Sequence, residues 1–143
     1  MTAVLLDVNV MIALLDPTHA HHQPAHRWFF DGSARRWLTC PTTENGVIRV
    51  MAHPKYSNSQ PIPVVMESLD SLVALPGHRR IPDDASLLSP RVERSALLSS
   101  GQVTDTYLAL LAQEHFAQLA TFDRRLSTRA LTAAQDLVLQ IPG

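Results

Sequence analysis

The segment Ala3-Val4-Leu5-Leu6-Asp7 decides the fold of this chain, because it is a short apolar run that ends on a carboxylate. A continuous apolar run of this length is typical of a strand buried on both faces, as strands are in parallel sheets. An aspartate directly after such a strand loses hydration unless something pairs with it, and Asp7 has no basic neighbour in the sequence. The segment therefore predicts a buried strand with a functional carboxylate at its end.

Strands and helices alternate along the rest of the 143-residue chain. We predict further strands at 36–40, 78–81, 118–122 and 137–141. Helical patterns cover 8–15, 19–31, 64–75, 83–99 with a break near Pro90, 103–116, and a segment capped by Thr42-Thr43 that runs to Met51, while 53–63 is a proline-rich loop. This order predicts an α/β fold, in which one domain over 1–143 has a central, mostly parallel sheet of four to five strands with helices on both faces.

The composition excludes several classes of protein. It is 45% hydrophobic and 17% charged, and 12 basic against 13 acidic residues give a net charge of −1, so no bulk basic excess indicates nucleic acid. The longest apolar stretch near the start, Val10 to Leu15, is too short to cross a membrane, and residues 1–15 contain no Lys or Arg, which a signal peptide needs. We therefore expect a cytoplasmic protein without a membrane partner.

Two details concern cysteine and arginine. The single cysteine, Cys40, excludes an internal disulfide, and its apolar surroundings predict a buried, unreactive thiol. Lys55 is the only lysine among the 12 basic residues, and the doublets Arg35-Arg36, Arg79-Arg80 and Arg124-Arg125 stand out. Arginine binds phosphate through a fork of donors, so the doublets are candidate phosphate-binding residues, although coding bias explains them equally well.

Four carboxylates fall where the active site of an α/β protein forms, beyond the carboxyl ends of the strands. Asp7 and Asp123 end predicted strands, while Glu44 and Asp105 lie in first helical turns. Taken alone, Glu44 and Asp105 are interpreted as ordinary helix-start acids, which favour the macrodipole. Together, the four suggest a shared divalent cation, because mutual repulsion would otherwise raise their pKa values.

These residues resemble the pattern of PIN-domain ribonucleases, and more closely that of VapC-type toxins of bacterial toxin–antitoxin pairs. The matching segments are Leu5-Leu6-Asp7-Val8-Asn9, Thr42-Thr43-Glu44-Asn45-Gly46, Thr104-Asp105-Thr106-Tyr107-Leu108-Ala109 and Ala120-Thr121-Phe122-Asp123. Each motif alone is weak, but all four acids match in order and at family-like spacing. The resemblance extends over nearly the whole chain.

The resemblance implies a role for each matching residue. The residues implied to be catalytic and to bind Mg²⁺ or Mn²⁺, directly or through water, are Asp7, Glu44, Asp105 and Asp123. The residues implied to support them are Asn9, Thr104 and Thr121. Separately from the resemblance, the doublet arginines that are candidates to contact RNA phosphates are Arg79, Arg80, Arg124 and Arg125. The ion would activate a water for attack on an RNA phosphodiester, and family products carry a 5′-phosphate and a 3′-hydroxyl.

The resemblance also implies biological partners. It predicts an endoribonuclease toxin that cleaves RNA of the tRNA or rRNA class, inhibits translation, forms a homodimer and is neutralised by a cognate antitoxin lying across a helical groove. The alternative is a catalytically silent RNA-binding or protein-interaction module on the same fold. A receiver domain and a haloacid-dehalogenase-type phosphatase rank lower, because Asp7 has no adjacent acid and Asn9 stands where the phosphatase motif has a second Asp.

A histidine-rich stretch, Thr18-His19-Ala20-His21-His22-Gln23-Pro24-Ala25-His26, is the remaining feature. His19, His22 and His26 would share one face of a continuous helix and could then bind zinc or nickel. Pro24 interrupts that geometry, so we favour a structural or surface role for these side chains.

Overall fold

Five strands form the central sheet in a computed structural model that describes residues 2–33, 36–132 and 134–143. They are β1 Ala3–Leu6, β2 Trp37–Thr39, β3 His78–Arg80, β4 Ala117–Thr121 and β5 Val138–Gln140. Their order is β3-β2-β1-β4-β5, and each neighbouring pair is parallel. The predicted α/β fold is confirmed, and β1 lies at the centre of the sheet as its apolar sequence requires.

Helices cover both faces of this sheet. They are α1 Val8–Leu15, α2 His22–Trp28, α3 Pro41–Met51, α4 Ile62–Val73 and α5 Gln102–Glu114. Side chains of β1 alternate between two cores: Val4 and Leu6 pack with residues of α1 to α4, and Leu5 packs with residues of α5. Both faces of β1 are therefore buried, which explains why it has no polar residue before Asp7.

Helix α3 approaches α1 closely at Gly46. A Cβ atom at this position would lie 2.8 Å from Cγ2 of Val8, so a side chain there would force the two helices apart. The missing side chain lets the first turns after β1 and β2 lie side by side. These turns carry Asp7 and Glu44 respectively.

The predicted helix over 83–99 is wrong. This segment is mostly irregular, with a single 3₁₀ turn at Arg94–Ala96. Side chains along it bond the backbone two residues ahead: Ser86 Oγ accepts from Leu88 N at 3.1 Å, and Ser89 Oγ accepts from Arg91 N at 3.2 Å. Such local bonds compete with helical hydrogen bonds, and the helical spacing of the apolar residues did not reveal them.

Three other helix starts differ from the prediction. Helix α2 begins at His22 rather than His19, because the Asp16 carboxylate and the His19 ring accept N–H groups of the preceding turns. Helix α3 begins at Pro41, with Thr43 Oγ1 accepting from the N–H of Cys40 at 3.1 Å. Helix α4 begins at Ile62, since a proline is tolerated in a first helical turn.

The lone cysteine lies in the core. Cys40 is fully buried, as predicted, and this burial raises the pKa of its thiol. Within the described part of the chain, no helix has the length and apolar character needed to span a bilayer.

Candidate active site

Asp7 connects the central strand to the first helix. It caps α1: its Oδ1 accepts from the N–H of Val8 at 2.8 Å, and its own N–H donates to the carbonyl of Ala120 at 2.9 Å. The side chain is 7% exposed, and its Oδ2 accepts from the Thr121 hydroxyl at 2.8 Å. These donors are neutral groups, and none of the ion pairs among the described residues involves Asp7, so its carboxylate is largely desolvated there.

Asn9 and Thr121 tie the end of β1 to the end of β4. The Asn9 amide donates to Thr121 Oγ1 at 3.2 Å and to Asp7 Oδ2 at 3.4 Å, and its carbonyl accepts from the N–H of Phe122 at 3.2 Å. Thr121 Oγ1 also accepts from the N–H of Asp123 at 3.0 Å. Two predicted supporting residues thus join the two strand-end aspartates in one network, whereas the third, Thr104, is exposed in the first turn of α5.

Asp105 completes a group of three interacting carboxylates. It lies half-buried in the first turn of α5, and burial together with the charges of Asp7 and Asp123 raises its pKa to about 6. Burial is also the main reason that the pKa of Asp7 is raised, with the charge of Asp123 adding to it. Three of the four predicted acids therefore share one electrostatic environment at the carboxyl edge of the sheet.

Glu44 has different partners from the other three acids. The Nε of Arg80 donates to both of its carboxylate oxygens, at 2.8 and 3.1 Å, and the Thr39 hydroxyl donates to Oε2 at 2.7 Å. A ring nitrogen of His78 lies 2.8 Å from the same hydroxyl. Glu44 is thus oriented by a strand residue on one side and neutralised by a cation on the other.

Sequence reasoning missed the pairing of Glu44 and also missed Asp83. Asp83 joins the first turn of α3 to α5, because it accepts from the N–H and hydroxyl of Thr42 at 3.0 Å each and from the Tyr107 hydroxyl at 2.9 Å. Asp83 follows β3 by a few residues. Its place beyond a strand end, the signal used for Asp7 and Asp123, would have indicated it.

The chemistry of these groups suits a hard divalent cation. The donors are carboxylate oxygens, and a cation would relieve the repulsion that adds to burial in raising the pKa of Asp105. Among residues 2–33, 36–132 and 134–143, no three His, Cys, Asp or Glu side chains already converge closely enough to hold an ion.

The four candidate arginines occupy three different places. Arg124 and Arg125 are exposed directly after Asp123, at the same edge of the sheet as the carboxylates. Arg80 binds Glu44. Arg79 is the register partner of Leu38, which packs on the α5 face of the sheet, so Arg79 lies on that face as well. Because successive residues of a strand point to opposite faces, Arg80 lies on the other face.

The histidine-rich stretch serves the end of helix α1. A ring nitrogen of His22 lies 2.7 Å from the carbonyl oxygen of Ala13, and one of His26 lies 3.3 Å from that of Leu14. The His21 ring stacks on Phe122 with centroids 4.6 Å apart. These contacts agree with the structural role that we favoured.

A parallel α/β sheet with carboxylates gathered beyond its strand ends defines a class of α/β proteins whose acidic site is assembled at the carboxyl edge of the sheet. The PIN domain family matches residues 4–130, and the chain therefore belongs to this family.

Curated relatives narrow the assignment of the chain within the PIN domain family. Ribonuclease VapC44 of Mycobacterium tuberculosis (strain ATCC 25618 / H37Rv) is 38% identical over 135 residues, covering 91% of this chain and 92% of the relative. Ribonuclease VapC39 of the same strain is 39% identical over 132 residues, with 91% and 94% covered, and Ribonuclease VapC38 is 39% identical over 127 residues, with 88% and 89% covered. The chain is a VapC-type PIN protein, as its motifs predicted.

Proposed function

We propose that residues 1–143 form one PIN domain that acts as an endoribonuclease toxin and requires Mg²⁺ or Mn²⁺. The observation that carries this proposal is the grouping of Asp7, Asp105 and Asp123, in which burial and the charges of the other two aspartates raise the pKa of Asp105 to about 6. A folded protein that keeps three carboxylates in such an environment needs a cation to hold them ionised. The ribonuclease names of the relatives favour RNA as the substrate.

The proposed ligands of the ion are Asp7, Asp105 and Asp123, with Glu44 as the fourth acid of the site. When bound, the ion would activate a water molecule and offset the charge on the leaving oxygen. Thr121 and Asn9 hold the Asp7 carboxylate in one orientation through their hydrogen bonds to its Oδ2. Hydrolysis by this route is expected to leave a 5′-phosphate and a 3′-hydroxyl.

The arginines next to Asp123 are proposed to bind the RNA backbone. Arg124 and Arg125 are exposed beside the acidic group, where a guanidinium fork can contact phosphates that flank the cleaved bond. Arg80 is proposed to hold Glu44 rather than RNA, because its guanidinium already binds the Glu44 carboxylate. RNA of the tRNA or rRNA class is the proposed target, selected by shape and loop contacts.

A cognate antitoxin is the proposed protein partner. A groove between α3 and α4 adjoins the site, and its lining residues include Glu44, Ile48, Met66, Leu69 and Arg80. Met66 is 49% exposed and Val64, nearby on α4, is 43% exposed, which provides apolar surface for a bound segment. We propose that the antitoxin lies in this groove and that the protein forms a homodimer.

Cleavage of RNA by the purified protein tests the proposed activity. Wild type is expected to cleave total cellular RNA with Mg²⁺ or Mn²⁺ and to lose this activity in EDTA. Asp7→Asn should lose more than about 100-fold of the rate while remaining folded, because the amide cannot neutralise a cation. Glu67→Gln, the same chemical change at an exposed position of α4, should cleave normally.

Other outcomes would reassign the protein. Wild-type protein that binds RNA without cleaving it under any metal condition would identify the silent module instead. Asp7→Asn protein that cleaves at the wild-type rate would contradict the site assignment. Mapping of cleavage ends after induction in cells would then identify the RNA.

A further inference from the structure

A second cavity opens at the opposite edge of the sheet, where the strands begin. It measures about 690 Å³, and its lining residues include Arg36, Leu38, Arg79, His115 and Phe116. Arg36 precedes β2 and Phe116 precedes β4, so the cavity extends across the amino ends of the central strands. The length of β1, four residues or about 13 Å, separates this edge from the carboxylates.

Among the residues that the structure describes, no carboxylate pairs with either of two cations in this cavity. Arg36 and Arg79 are both exposed, and the ion pairs found in the described part of the chain involve Arg80 with Glu44 and His115 with Asp84 instead. The register of β3 directs Arg79 to the α5 face of the sheet, the side on which Phe116 follows the C-cap of helix α5. Both guanidinium groups are thus available to a ligand.

The backbone of Phe116 has a conformation that is unfavourable for a residue with a bulky side chain. Its φ of 57° lies in the left-handed region, at the position just after a helix where glycine is preferred, and a bulky residue is unfavourable there. The ring is also 91% exposed, so it contributes little to the core in return. An aromatic ring held in a strained, exposed position at the mouth of a cavity indicates a binding role.

We propose that Arg36, Arg79 and Phe116 form a second binding site for single-stranded RNA at the amino edge of the sheet. Guanidinium groups for phosphates and an exposed ring for stacking are the combination that single-stranded nucleic acid requires. A free anion fits less well, because the carbonyl end of α5 and the carboxylate of Asp84 lie close by. A base stacked on Phe116 supplies the attraction that charge alone does not.

This proposal rests on the proposed function, since it assigns the site to the RNA that the carboxylates would cleave. RNA bound at both edges would contact the protein along the α5 face. The amino-edge site would then hold the part of the substrate that flanks the cleaved bond, which should affect KM more than kcat.

Binding of labelled RNA without added metal tests the proposal. The probes are 15-nucleotide oligo(U) and oligo(A) carrying fluorescein, and anisotropy reports the Kd over a range of salt concentrations. Phe116→Gly should weaken binding about tenfold while leaving the Tm unchanged or higher, because glycine accepts the left-handed conformation. Phe116→Trp should bind as wild type does, since it keeps a stacking ring.

Matched variants distinguish loss of this site from nonspecific effects of a substitution on RNA binding. Arg36→Ala and Arg79→Ala should each reduce the salt slope of log K by about 0.7, which is the value for one phosphate contact on a single strand. Arg49→Ala, at an exposed position of α3, and Phe30→Ala, which removes a ring that is 59% exposed, should leave binding unchanged.

Three results would overturn the proposal. The first is wild-type protein that binds neither oligonucleotide. The second is unchanged affinity in both Phe116→Gly and Arg36→Ala. The third is a change of oligomeric state in Phe116→Gly without loss of RNA affinity, which would identify a protein contact instead. Cleavage assayed in parallel keeps the two proposals apart, because loss of the second site leaves metal-dependent cleavage detectable, whereas RNA binding without cleavage removes the proposed function alone.

Discussion

Two buried aspartates lie at the two ends of helix α1, and their surroundings differ. Asp16, at the carboxyl end, is 1% exposed and accepts from the N–H and hydroxyl of Thr18 at 2.9 and 2.8 Å, from the Asn58 amide at 2.8 Å and from the Tyr56 hydroxyl. Asp7, at the amino end, accepts from one backbone N–H and one hydroxyl at good distance and faces the charge of Asp123.

The two pKa shifts run in opposite directions for this reason. Burial opposes ionisation of both side chains, but the hydrogen bonds to Asp16 outweigh burial and hold its pKa well below the ordinary value. At Asp7 burial dominates, and the pKa is raised. Burial alone therefore does not identify a functional carboxylate; a buried carboxylate with few donors and an acidic neighbour is the better candidate.

In the metal-free protein, asparagine substitutions at Asp7 and Asp16 should differ strongly in their effect on the free energy of unfolding. Asp16→Asn replaces an acceptor oxygen with a donor and should lower the free energy of unfolding by roughly 3 kcal/mol. Asp7→Asn removes a repelled charge and should change it by less than about 1 kcal/mol or raise it. Urea unfolding at pH 7 in EDTA measures both, and Tyr56→Phe, which removes one donor to Asp16, should show an intermediate loss. Equal losses in Asp7→Asn and Asp16→Asn would remove the distinction.

Acid should affect the two sites in opposite senses. The folded-state pKa of Asp16 is lowered, so its stabilisation is present above the unfolded-state value of 3.8 and is lost as the pH falls below it. The raised pKa of Asp7 means that its ionisation destabilises the fold as the pH rises from 3.8 through the folded-state value. Urea unfolding between pH 3 and pH 5 should show a flatter acid decline in Asp16→Asn than in wild type. A steeper decline would indicate that Asp16 is not stabilised as an anion.

Most of the fold, and the meeting of Asp7, Asp105 and Asp123 at one edge of the sheet, could be predicted from sequence for a specific physical reason. A strand buried on both faces leaves an apolar run, and a carboxylate at its end is conspicuous, as at Asp7. The ion pair of Glu44 could not be read in this way, because it depends on the register of Thr39 with Arg80 on a neighbouring strand. The prediction of a helix over 83–99 is wrong because hydrogen bonds to serine side chains replace helical hydrogen bonds without altering the apolar spacing.

Protons should compete with the metal at Asp105. Its pKa of about 6 means that the group is largely protonated at pH 5.5 and ionised at pH 7.5. The rise in Tm caused by 5 mM Mn²⁺ should therefore be clearly larger at pH 7.5 than at pH 5.5. Asp105→Asn should show a small rise that hardly depends on pH over this range. A pH-independent rise in wild type would count against Asp105 as a ligand.

The smallest expected effect on stability and metal binding concerns Glu44. Like Asp16, Glu44 already has donors bound to its carboxylate. Arg80→Gln should change the free energy of unfolding by less than about 1 kcal/mol, because the Arg80 side chain is 55% exposed. If Glu44 contributes to the metal site, the same variant should bind Mn²⁺ two- to threefold more tightly, since the competing cation is gone. Calorimetric titration measures this change, and unchanged or weaker affinity would assign Glu44 to the class of structural carboxylates.

Calorimetric titration of Mn²⁺ into the metal-free protein at pH 7.5 tests the assignment of Asp7 most directly. Wild type and Tyr56→Phe, which alters only the partnered aspartate, are expected to bind Mn²⁺ with similar affinity, whereas folded Asp7→Asn shows no measurable heat of binding. Asp7→Asn protein that binds Mn²⁺ as tightly as wild type would contradict the metal site at the carboxyl edge of the sheet.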